Sequence, residues 1–263
     1  MRTDTQHTLL ILASVGVGFL LVRWAVRSAI LSPPEQLPSA PYVPKLADSP
    51  VFQWASNVPT DTAHLSDDFF RGLLDMVADF QSKGAKASAE DFLNVWLAES
   101  KMDPTAKNAQ GFAGLNQMGG DWRKRFGFTG TADDYSKLPA EAQLPYIKQY
   151  YEVNAAPYGF QVMSGVGKLY LMNAAPSKVG LADSQVLATK SPEDDGTKAW
   201  ADAHTENYYA HNRGLDWRGK GFITVQDLGE IALGAKQQYA KLWDELKGRL
   251  NAVRSAPVMV ATT

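Results

Sequence analysis

The sequence predicts a mainly α fold, on three observations. Apolar residues recur at helical spacing in several separate stretches. A serine or threonine with an acid three residues later opens some of them. Strand-like alternation is scarce, and no internal repeat divides the chain. At 263 residues the chain holds one large domain or two small ones, and 45% hydrophobic content suffices for a sizeable core. The formal net charge of -2 carries no basic excess, so nucleic acid is not an expected partner. Four scattered histidines and no cysteine leave no expected metal site, disulfide or thiolate nucleophile, and no cofactor is expected.

Residues 1–31 hold an uncharged run from Thr8 to Val22, continued by Trp24, Ala25 and Val26 between Arg23 and Arg27. A spanning helix needs about 20 apolar residues, a length this run reaches only if Arg23 snorkels. Three readings stay open: a membrane anchor, a signal-type segment, or a core helix. The anchor is favoured because the next segment, 32–62, carries Pro33, Pro34, Pro38, Pro41, Pro44, Pro50 and Pro59, the composition of a semi-rigid spacer. Arg23 and Arg27 outweigh Arg2, which by the positive-inside rule leaves the rest of the chain cytoplasmic.

From Leu65 the pattern is helical. Ser66 is the expected N-cap, Asp67 and Asp68 suit the positive helix end, and Phe69, Phe70, Leu73, Leu74, Val77 and Phe80 form the buried stripe up to Gly84. A second helix is expected from Ser88, with Asp91 completing a capping box and Phe92, Leu93, Val95, Trp96 and Leu97 inside. Asp121 is expected to cap a helix from Trp122, and Pro145 to open another through Tyr146, Ile147, Tyr150 and Tyr151. Val166 to Met172 and Ala199 to Tyr209 read as helices. The last helix is expected from Val225 to Leu250, with Leu228, Ile231, Leu242, Trp243 and Leu246 inward.

Glu99 follows Phe92, Val95 and Trp96 by seven, four and three residues, so all four share one helix face. A carboxyl on an apolar face is costly to ionise, which is how a general acid stays protonated near neutral pH. A glutamate turned to solvent, or paired with Lys101, is the plain alternative.

The residues that follow carry a resemblance. Glu99, Ser100, Pro104 and Ala106 match the first motif of the soluble lytic transglycosylases, relatives of goose-type lysozyme, written E-S-x-F/M-x-P-x-A. Gly114, Leu115 and Gln117 match the second, G-L-M-Q, with Asn116 in place of methionine. Asn173 and Pro176 fit the family's A-Y-N-A-G-P segment, although Met172 and Ala175 depart from it, in a form similar to members carried by bacteriophages. Glu206 to Tyr209 is weakly similar to the last motif, which makes Tyr208, or alternatively Tyr209, the tyrosine facing the acid.

The resemblance implies a lysozyme-like catalytic domain over residues 63–212 and an enzyme that cleaves the bond between N-acetylmuramic acid and N-acetylglucosamine in peptidoglycan. Glu99 would be acid first and base second, and the products would end in anhydromuramic acid. A conventional glycosidase needs a second carboxylate. Asp103 reads as a loop cap and Asp121 as a helix cap, so neither is assigned that role. Ser100, Gly114, Leu115, Gln117, Asn173 and Tyr208 are the implied substrate contacts. All but Leu115 have a structural alternative: capping for Ser100 and Asn173, a loop bond for Gln117, a tight turn at Gly114, core packing for Tyr208.

The implied partners are glycan strands, a membrane through the N-terminal segment, and virion or envelope machinery. The implied setting is a membrane anchor facing the periplasm, or a virion. The charge flanking residues 8–22 conflicts with the periplasmic placement. Two other readings stand beside the lyase: a hydrolase of the goose-lysozyme kind, and a non-catalytic wall-binding or structural virion protein.

Residues 213–263 begin with an EF-hand-like loop. Asp216 stands first, Gly221 sixth, Ile223 eighth and Asp227 twelfth. Arg218 and Lys220 occupy the third and fifth positions, where oxygen ligands belong, so calcium is not expected there. The loop is read as a turn with Thr224 and Asp227 capping the last helix, or as one in which Arg218 and Lys220 replace the ion by pairing with Asp216 and Asp227.

Overall fold

A computed structural model describes residues 59–190, 209 and 212–256. The apolar run at 8–22, the Pro-rich segment up to residue 58, and the helix expected over 199–209, apart from Tyr209, lie outside the described residues. Among those described, the protein is mainly helical, and no helix is long and apolar enough to cross a membrane.

Helix α1 (Asp67–Ser82) starts as its sequence predicts. The Ser66 hydroxyl accepts from the Phe69 amide at 3.1 Å, and Phe69, Phe70, Leu73, Met76, Val77 and Phe80 are buried. Helix α2 (Ala89–Ser100) has the full capping box: Asp91 N donates to Ser88 Oγ at 3.2 Å and Ser88 N to Asp91 Oδ2 at 2.8 Å. From Phe92 to Ala98 every residue of α2 is buried, so it is the central helix.

Helix α3 (Gly120–Arg125) takes Gly119 as its N-cap, with no side-chain capping bond. Asp121 is therefore a first-turn acid, favoured by the helix dipole, and not the cap. A single-turn α4 (Ala132–Tyr135) follows. Helix α5 (Ala140–Ala155) begins after Pro139 and runs through Pro145, which is interior and does not open the helix. The reason is tertiary. Gln143, ahead of the proline, is held by Pro104 O at 2.8 Å and Leu138 O at 3.0 Å, and accepts from Leu115 N at 2.9 Å. Those bonds need Gln143 in a helical turn, and they offset the hydrogen bond Pro145 cannot donate.

Helix α6 (Val166–Ala174) and helix α7 (Val225–Gln238) pack together, and both touch α2. They meet at glycines: a Cβ on Gly229 would lie 3.3 Å from Gly167 Cα. The strands β1 (Val186–Thr189) and β2 (Phe222–Thr224) form a small antiparallel pair, Ala188 opposite Ile223. The Thr224–Asp227 capping box opens α7 as expected. The single last helix is in fact two, because Tyr239 (φ -108°, ψ 41°) breaks it before α8 (Ala240–Ser255). The break redirects the chain: α7 lies against α6 and α2, whereas α8 lies against α1. The predicted inward residues Leu228, Ile231, Leu242, Trp243 and Leu246 are all buried, on the two helices together.

Arg249 of α8 ties the two ends of this body. It donates to Thr62 O at 2.7 Å, to Leu65 O, and to Asp67 Oδ1 at 2.7 Å.

Candidate active site

Glu99 sits in the last turn of α2. Solvent reaches a minor part of the residue, while protein atoms crowd its carboxyl. Burial raises the carboxyl pKa to about 7, and the neighbouring Asn173 and Tyr170 pull it partly back down. The group is thus desolvated, the environment in which a carboxyl keeps its proton near neutral pH.

Its two partners come from α6, where Tyr170 and Asn173 stand three residues apart on one face. Asn173 Nδ2 also donates to Asn116 O at 2.7 Å, and Asn173 Oδ1 accepts from Tyr151 OH at 3.3 Å. Tyr151 comes from α5, its ring edge-on to Phe92 at 5.0 Å. Burial pushes its phenol well above the usual range, and the neighbouring Tyr150 and Glu99 add to that. Three helices and one loop therefore converge on a single carboxyl.

The loop is built around Gly114. Its φ of +81° is in the left-handed region, and a Cβ there would come within 2.4 Å of Gln143 Oε1 and 2.6 Å of Tyr135 Cε1. Gly114→Ala is expected to lower stability by roughly 2 kcal/mol, seen as a reduced Tm. Leu115 is fully buried. Gln117 takes a positive φ of 49° and donates through Nε2 to Gly114 O at 2.9 Å and Ala106 O at 3.3 Å. Both side-chain polar atoms of Asn116, and Gln117 Oε1, are buried without a protein hydrogen-bond partner.

Of the predicted contacts, the structure brings Asn173 to Glu99 directly. Gly114, Leu115 and Gln117 shape the loop whose backbone holds Asn173. Ser100 is fully buried, and its hydroxyl donates back to Trp96 O at 3.0 Å, so it belongs to the helix. Asp103 is the loop cap its place before Pro104 predicts, accepting from Thr105 N at 2.8 Å. Tyr208 lies outside the described residues. Its alternative, Tyr209, donates to Asp216 Oδ2 at 2.7 Å and so serves the C-terminal loop. Sequence reasoning missed Tyr170 and Tyr151 as neighbours of the acid. The three-residue spacing from Tyr170 to Asn173 was a usable signal; for Tyr151 only the fold supplies one.

A depression of about 440 Å³ lies between the start of α6 and α7, lined in part by Val166, Lys168, Asp183, Gln226 and Leu233. Neither Glu99 nor its partners line it, and its charges form no converging acid or base pair. No group of three or more metal-ligating side chains is placed for a metal among the described residues.

In the 216–227 turn, Asp216 accepts from Lys220 N at 2.9 Å and Gly221 N at 2.7 Å. Lys220 Nζ pairs with Asp227 Oδ2 at 3.0 Å, as one reading expects. Arg218 does not pair with Asp216. It reaches forward to Glu230 on α7, with Nη2 at 2.7 Å from both carboxylate oxygens, because Asp216 is already occupied by backbone donors and Tyr209.

No family model, curated protein or solved structure matches this chain.

Proposed function

We propose that this protein is a peptidoglycan lytic transglycosylase with Glu99 as its one acid and base, working from a membrane tether or a virion. The observation that carries this reading is a carboxyl with a pKa of about 7 at the end of an apolar helix, beside Asn173 and Tyr170, on a residue that solvent partly reaches. The motif resemblance supplies the substrate class. Asn116 and Gln117 add buried polar atoms with spare hydrogen-bonding capacity in the loop that anchors Asn173.

The chemistry follows from one proton. Protonated Glu99 gives it to the glycosidic oxygen as the bond to the muramic carbon breaks, and the sugar's own acetamido oxygen closes on that carbon. The Glu99 carboxylate then takes the proton of the sugar's primary hydroxyl, whose oxygen displaces the acetamido group. The product is an anhydro ring, Glu99 is again protonated, and no water is consumed.

The test is to incubate the purified full-length chain with peptidoglycan and weigh the soluble muropeptides. Anhydro ends are expected. Reducing ends would replace the lyase with a hydrolase, and pelleting with the wall without release would leave a binding protein.

A further inference from the structure

We propose that the 216–227 loop is a cation site whose occupant is its own Lys220 ammonium, standing in for a divalent metal. The frame is that of an EF-hand: an acid at the first position, a sharply turning glycine at the sixth, a short strand through the eighth and an acid at the twelfth. Gly219 and Gly221 carry φ of +67° and +84°, and Ile223 pairs across to Ala188.

What has changed is the charge. Asp227 is 1% exposed, and its Oδ2 receives Lys220 Nζ at 3.0 Å and Thr224 N and Oγ1 at 2.7 Å each. Its Oδ1 is buried with no protein hydrogen-bond partner. A carboxylate so enclosed needs a counter-charge close by, and a compact ammonium is the side-chain group nearest to a metal ion in that respect. Lys220 is held for this use: its Nζ lies 4.3 Å from the Phe222 ring centroid, and its side chain is only 19% exposed. Arg218, at the third position, is removed from the loop by its two bonds to Glu230. Lys220 then answers Asp227, backbone amides and Tyr209 hold Asp216, and the loop closes whatever the calcium concentration.

Three full-length proteins test this by thermal melting in EDTA and in millimolar calcium. Wild type should give the same Tm in both. Lys220→Met, which keeps the stem and removes the charge, should melt roughly 5–10 °C lower in EDTA, because Asp227 is left buried and unpaired. Arg218→Asp with Lys220→Asp restores carboxylates to the third and fifth positions. It should melt low in EDTA, regain several degrees in calcium, and bind terbium with luminescence sensitised through Trp217. Folding of this double variant only in calcium also supports the proposal; failure to fold or to respond in calcium overturns it. So does a Lys220→Met protein that melts with wild type, or a wild type that calcium stabilises.

Discussion

Glu99→Gln is expected to lower muropeptide release on the order of 10³-fold while raising the melting temperature at alkaline pH. The two effects share one cause. Burial holds the folded Glu99 pKa at about 7 against an ordinary 4.5, so the folded protein keeps a proton that the unfolded chain gives up between those values. The stability this proton provides is whole below pH 4.5 and is lost as pH rises to 7, leaving the folded state about 3 kcal/mol poorer above that. Glutamine has no charge to bury. The variant should therefore match wild type in melts at pH 4 and exceed it by several degrees at pH 8. Undiminished release would remove Glu99 from catalysis, and equal melts at both pH values would mean that the carboxyl is solvated.

Asn173→Ala should cut release about 10²-fold and move the pH profile. The amide donates to Glu99 and to Asn116 O, and accepts from Tyr151, so alanine removes three bonds around the acid. Activity needs protonated Glu99 and should fall above about 7 in wild type. The Asn173 bond lowers that pKa, so without it the descending limb moves to higher pH even as the maximum drops. A smaller maximum with an unmoved limb would show that Asn173 only supports the loop.

Features governed by near neighbours in the chain were open to reading from sequence. The Ser88–Asp91 and Thr224–Asp227 boxes lie within one turn, and Glu99 inherits its apolar surroundings from Phe92, Val95 and Trp96 on the same helix. Features governed by distant partners were not. Pro145 stays inside α5 because Gln143 is held by Pro104 and Leu115. Tyr239 breaks the last helix because its two halves pack on different neighbours, with no glycine or proline to mark the place. Ser100 illustrates the limit within the site itself: its type and position fit a ligand contact, but the rotamer that bonds Trp96 O turns it inward. The tyrosines beside Glu99 come from α5 and α6, and no spacing in sequence joins them to α2.

The Arg249 staple bears on how the molecule is made. Its bonds join residues 182 to 187 positions apart, and its guanidinium also covers the Phe70 ring at 5.0 Å. A nascent chain emerging from the ribosome cannot close the start of α1 until nearly all of the body has been synthesised. Contacts of such long range slow folding and leave early apolar surface uncovered meanwhile. Chains interrupted before α8 should accordingly collect as aggregates or be degraded, and not persist as shortened folded forms.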